Sequence, residues 1–88
     1  MLGAYRVYVL ENQAGQFYIG VTANVTRRLN QHNAGVSKWT KGRGPWRVAW
    51  QSESLPLSAA RKLENRLKRQ GRGRGFFSLT GLRRRSGS

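Results

Sequence analysis

The stretch AARKLENRLKRQGRGRG, residues 59–75, holds one carboxylate, Glu64, among Arg61, Lys62, Arg66, Lys68, Arg69, Arg72 and Arg74. On a helical wheel with Ala60 at the origin, Leu57, Leu63 and Leu67 fall within about 60° and define a buried arc. Glu64 falls at about 40°, inside that arc, whereas Lys62, Arg66 and Arg69 fall at about 180–240° and face out. An acid turned toward the apolar side must be paired, because a lone buried charge is strongly disfavoured. Two kinds of partner are open to it. One is a salt bridge to Lys68 or Arg61, its helical neighbours; the other is a hard cation such as Mg²⁺, which needs few protein carboxylates when water and phosphate complete its octahedron. Glu11, Glu53 and Glu64 are the only acids in the chain, so a two-metal phosphodiester site built from several carboxylates is excluded. Chemistry on a phosphodiester would use one metal ion or none.

Four other residues have side chains suited to the same chemistry. Tyr8 and Tyr18 lie about equally far from the turn ENQAG, on two segments that read as hairpin strands, where cross-strand neighbours can share a face, with the register open by one residue. Val25 to Asn33 has helical spacing, with Asn24 as N-cap and Gly35 as the stop. With Val25 at the origin, Leu29 falls near 40°, His32 near −20° and Arg28 near −60°, while Arg27 points to about 200°. Arg28 and His32 therefore border the buried stripe and Arg27 faces water. As the only histidine, His32 cannot build a multi-histidine metal site.

The elements that must position these residues follow from local pattern. Tyr5 to Leu10 is aromatic and β-branched and reads as a strand, with Phe17 to Val21 as its hairpin partner. WRVAWQ, Trp46 to Gln51, is a third strand, with Trp46 and Trp50 as core residues. GVSKWTKGRGP lacks periodicity and reads as an exposed loop that carries Trp39 between Lys38 and Lys41. Pro56 opens a second helix that runs to about Arg69. GFFSLTGL is a short apolar segment that folds back onto the core, and residues 83–88 read as a basic, disordered tail behind a domain of residues 1–82. The expected class is α+β: a small three-stranded antiparallel sheet flanked by helices.

Composition sets outer bounds. The 88 residues suffice for one small domain. Lys and Arg number 17 against three acids, for a net charge of +14, so a polyanion, by default nucleic acid, is the expected partner. No cysteine is present, which excludes disulfides and thiolate metal sites and fits a cytoplasmic location. No apolar run approaches the ~20 residues that cross a bilayer, and no helix pairs a basic face with a broad exposed apolar one.

Taken together, VYVL (7–10), YIG (18–20), TRRLNQH (26–32), WTKGRGP (39–45) and LENRLKRQ (63–70) resemble the GIY-YIG nuclease superfamily, and more narrowly its small single-domain bacterial branch, UPF0213-like, over almost the whole chain. The first motif reads RVY where the family has GIY, and no Asn follows Glu64 at the distance where larger members carry one. The resemblance implies the GIY-YIG endonuclease fold and a metal-dependent endonuclease acting on DNA, with a role in DNA repair or recombination. It places the two motif tyrosines at Tyr8 and Tyr18, the Arg at Arg28, the His at His32, and the Glu that holds one Mg²⁺ or Mn²⁺ ion at Glu64.

On that reading water attacks phosphorus in line. Tyr8 is the general base, its phenol lowered from a free pKa of ~10 by Arg28 and the metal. Arg28 grips the scissile phosphate, and His32 orients a tyrosine hydroxyl or polarises the water. Lys38, Lys41, Arg43, Arg69, Arg72 and Arg74 contact phosphates without regard to sequence. Trp39 either stacks on an unpaired base or anchors its loop. Little sequence specificity and a preference for single-stranded or branched DNA are expected. The alternative is a non-catalytic, basic nucleic-acid-binding module, associated with RNA or a nucleoprotein particle.

Overall fold

A computed structural model describes residues 3–70 and 74–82, with only the backbone for residues 74 and 75. The expected tail at 83–88 lies outside these residues. The elements are β1 (Arg6–Glu11), β2 (Phe17–Thr22), α1 (Val25–Asn33), β3 (Arg47–Gln51), α2 (Leu57–Gln70) and α3 (Arg74–Thr80). The strands form one sheet in the order β2-β1-β3, and both pairings are antiparallel. The α+β class and three-stranded sheet expected from the sequence are both present.

The central strand organises everything else. Residues alternate along β1, so Val7 and Val9 point to one face while Tyr8 and Leu10 point to the other. All four are buried, which requires cover on both faces. On the valine face α2 and α3 supply Ala60, Leu67 and Phe76. On the tyrosine face Trp46 is buried with Tyr8 and Leu10, and Val25 and Leu29 of α1 pack against them.

β3 serves both layers because its register shifts. Val9 pairs with Trp50 but Leu10 pairs with Val48, leaving Ala49 as an extra residue. A bulge of this kind reverses which face the following side chains take. Val48 therefore packs with Leu10 while Trp50 packs with Val9. Plain alternation in WRVAWQ would put both on one side.

The segment GFFSLTGL is helical, which its apolar character alone does not establish. Phe76 is buried against the β1 valines, and Phe77 and Leu79 pack around it. Burial of one such ring contributes about 1.5–3 kcal/mol. The helix ends where Gly81 takes a φ of 72°, with its N–H on the Phe77 carbonyl at 2.8 Å.

Candidate active site

The hairpin register fixes the two phenols. Tyr8 pairs with Gly20 and Leu10 with Tyr18, so the tyrosines are diagonal neighbours on one face. Their ring centroids are 6.3 Å apart. Gly20 has no side chain to fill the space opposite Tyr8, and the Tyr8 ring occupies it: a Cβ added at Gly20 would lie 2.5 Å from Tyr8 Oη and 2.6 Å from Cζ. A glycine inside a strand marks such a close approach.

Behind Tyr8 runs a buried polar chain. Tyr8 Oη is 3.0 Å from His32 Nε2, and His32 Nδ1 is 2.8 Å from Thr40 Oγ1. The Thr40 hydroxyl donates to the Ser37 carbonyl at 3.4 Å. With the imidazole proton on Nδ1, His32 donates to Thr40 Oγ1. That tautomer leaves Nε2 to accept from the Tyr8 hydroxyl. Tyr8, His32 and Thr40 are each 1% exposed.

α1 presents His32 as the wheel requires. The Asn24 side chain caps the helix by accepting from the Arg27 N–H at 3.0 Å. His32 is then buried, Arg28 half-buried and Arg27 exposed. Burial, and secondarily the Arg28 charge, holds the His32 imidazole below its ordinary pKa of 6.5, favouring the neutral ring. For Tyr8, burial is the largest influence and raises the phenol above 10.0. The Arg28 guanidinium pulls the other way, while Tyr18 and Glu64 add to the rise. Arg28 thus acts in the expected sense, but desolvation outweighs it and the phenol is held protonated.

A cavity of about 310 Å³ gathers Tyr8, Tyr18, Gly20, Arg28, Arg61 and Glu64. It lies at β2, an edge of the sheet, where residues of α1 on one face meet residues of α2 on the other. Four of the five expected site residues line it, and the fifth, His32, reaches it through the Tyr8 hydroxyl. Glu64 is half-buried, as the wheel places it, and its Oε2 pairs with Lys68 Nζ at 3.0 Å. The expected salt-bridge partner is therefore engaged in the same structure that turns the acid toward the phenols.

The cavity offers one carboxylate, and among the described residues no three His, Cys, Asp or Glu side chains stand close enough to hold an ion. Such a donor set suits a hard, hydrated cation and not zinc.

The basic residues divide cleanly. Lys38, Lys41, Arg43 and Arg69 are exposed; Arg72 lies outside the described residues, and for Arg74 only the backbone is placed, at the start of α3. The loop that carries the first three is pinned, not loose. Asn33 exchanges hydrogen bonds with the Trp46 backbone, Asn12 donates to the Arg43 carbonyl at 2.9 Å, and Trp46 Nε1 donates to the Thr40 carbonyl at 3.1 Å. Trp39 is 45% exposed, yet its ring has Tyr18 at 5.8 Å, Trp46 at 5.9 Å and the Arg43 guanidinium at 4.8 Å. It is anchored and open at once.

Sequence reasoning missed Tyr5, Gly20, Thr40 and Arg61 as site residues. Gly20 carried a legible signal, a glycine within a strand. Arg61 falls near 100° on the α2 wheel, at the margin of the buried arc. Thr40 sits in a stretch without periodicity, and nothing in its neighbours announces that it is buried.

The chain belongs to the GIY-YIG family: the model of the GIY-YIG catalytic domain matches residues 4–76. It is similar to the UPF0213 protein of Aeromonas salmonicida, at 38% identity over 69 residues, covering 77% of this chain and 51% of that protein. It is also similar to the structure-specific endonuclease subunit SLX1 of Homo sapiens, at 41% over 63 residues, covering 66% of this chain and 23% of that protein. A UPF0213 protein from Bacillus halodurans, solved in solution by NMR, is 37% identical with a TM-score of 0.43, over 77% of this chain and 73% of that one. The chain spans about half the length of the Aeromonas proteins it matches. No helix among the described residues is long and apolar enough to cross a membrane.

Proposed function

We propose that this chain is a metal-dependent endonuclease that hydrolyses DNA phosphodiester bonds with little sequence specificity and favours single-stranded or branched DNA. The observation that carries the reading is one cavity lined by three tyrosines, two arginines and an inward carboxylate, with the His32 imidazole bonded to the Tyr8 phenol. The human relative's name, structure-specific endonuclease subunit, supports selection by shape over sequence.

Tyr8 is the general base because it is the phenol with somewhere to send its proton. As a water molecule bonds to phosphorus, its proton passes to Tyr8 Oη and the Tyr8 proton passes to His32 Nε2. The P–O bond to the leaving strand breaks, and the departing oxygen takes a proton from solvent. Neutral His32 can accept, and Thr40 holds it in the accepting tautomer. Arg28, with Arg61 beside it, binds the phosphate oxygens on which charge grows. Tyr18 walls the cavity and positions the phosphate against Tyr8. Glu64 would hold one Mg²⁺ or Mn²⁺ ion, which when bound supplies Lewis-acid stabilisation of the phosphate and the leaving oxygen. Lys38, Lys41, Arg43 and Arg69 hold flanking phosphates, a salt-sensitive grip blind to base identity.

The Glu64–Lys68 pair favours one other reading, a basic nucleic-acid-binding module in which the acid is spent on that ion pair. The two separate on purified protein. Glu64→Ala and Tyr8→Phe are expected to abolish Mg²⁺-dependent cleavage of labelled oligonucleotides while leaving salt-dependent binding nearly unchanged. Equal, metal-independent cleavage by parent and variants would refute the nuclease reading.

A further inference from the structure

A second cavity adjoins the first along β2. It too measures about 310 Å³ and is lined by Phe17, Tyr18, Ile19, Trp39 and Lys68. Tyr18 belongs to both cavities. The Glu64–Lys68 ion pair spans the same division, with its acid lining the first cavity and its lysine the second. The first space is polar and built around charge. The second is walled by aromatic and aliphatic side chains with a single cation among them.

We propose that this second cavity receives one unpaired nucleobase, that of the nucleotide next to the scissile phosphate. The inference deepens the nuclease reading and rests on it for the word scissile. Cavities for drug-sized ligands run upward from about 300 Å³, so this one suits a single heterocycle. Trp39 is the stacking surface. Its ring is held by Tyr18, Trp46 and Arg43, so little freedom is lost when a base stacks on it, and nearly half of it is open to solvent. Lys68 is exposed beside it, and Lys38 and Lys41 flank it in the chain, so the phosphates on either side of a stacked base meet positive charge. An apolar peptide would have no use for those cations. A base inside a duplex is stacked above and below and can enter only after it is unpaired and unstacked, which costs free energy. The cavity therefore gives a physical origin for a single-strand preference at one position.

The test uses the full chain and a single-stranded DNA oligonucleotide carrying 2-aminopurine, with EDTA present so that binding is read without cleavage. The fluorescence is expected to be quenched with saturation on the single strand and not when the same base is paired in a duplex. Trp39→Ala should remove the quench and weaken binding roughly 5- to 100-fold, the range for loss of one base–aromatic stack. Trp39→Phe, which keeps a ring, should restore much of both. A second arm needs no variant: with Mg²⁺ present, an abasic site moved along the oligonucleotide should slow cleavage at the bond adjacent to it. Unaltered quench and affinity in Trp39→Ala, or equal quench in the duplex, would overturn the subsite. No stacking signal in the parent protein, with its metal-dependent cleavage intact, would sink this inference alone. An intact stacking signal without any cleavage would sink the nuclease reading alone.

Discussion

Replacing Gly20 with Ala tests how tightly the fold and the chemistry are joined. The added methyl would lie 2.5 Å from Tyr8 Oη, 2.6 Å from Cζ and 2.9 Å from Cε1, where ordinary contact begins at 3.4 Å. The Tyr8 ring must retreat by about 1 Å to restore normal separations. It cannot do so freely, being 1% exposed with the Tyr18 and His32 rings at 6.3 and 6.0 Å. Overpacking of this kind costs about 1–3 kcal/mol, and each kcal/mol lowers Tm by about 4–8 °C in a domain of this size. The same retreat moves Oη off the 3.0 Å contact with His32. A displacement of that order lowers cleavage about 10²-fold. Thermal unfolding by circular dichroism and single-turnover cleavage of a labelled oligonucleotide read the two effects. A variant with parental Tm and parental rate would refute the placement of the Tyr8 ring against β2. A lowered Tm with full activity would refute the role given to the Tyr8 hydroxyl.

Thr40→Val leaves the buried His32 Nδ1–H without its acceptor, which should cost about 1–3 kcal/mol in unfolding measurements; cleavage should fall on the order of 10²-fold, Thr40→Ser should recover most of it, and ¹⁵N shifts of His32 should report the loss of tautomer control. Because the folded pKa of His32 lies below its unfolded value of 6.5, the unfolded chain binds the proton more readily. The associated stability is present above pH 6.5 and lost as pH falls from there toward the folded pKa, so Tm between pH 7.5 and 5 should fall more steeply for the parent than for His32→Asn. Lys68→Met removes the cation that occupies the Glu64 carboxylate, so half-maximal cleavage should need less Mg²⁺ than in the parent; an increase in the requirement would contradict the role of Glu64. Lys41→Ala should lower the salt slope of single-strand binding by about 0.7, the contribution of one phosphate contact, measured by fluorescence anisotropy across a salt series.

The features legible in the sequence were those set by short-range periodicity. Two wheels sufficed to turn Glu64, Arg28 and His32 inward and Arg27, Lys62 and Arg66 outward, because helical spacing fixes relative direction whatever the tertiary fold. Alternation allowed Tyr8 and Tyr18 to share a face but left the register open by one residue, and a slip of one would part them; the true pairing sets Tyr8 against Gly20, two residues from Tyr18, and so puts both on one face. Features decided by contacts across the chain were not legible. The Ala49 bulge sends Trp50 and Val48 to opposite layers, which no local pattern records. Thr40 is selected by a hydrogen bond to a helix eight residues away. The net direction of the Tyr8 shift depends on how completely its ring is desolvated, a property of the assembled layers and not of its neighbours in sequence.

β1 places the phenol proposed as general base between two valines that belong to the main core. If Tyr8 acts as proposed, heat resistance and turnover are written on the same six residues, and selection for one cannot leave the other untouched. A laboratory evolving this domain would gain durability most safely at the outward sides of its helices, and would find its central strand the part least able to change.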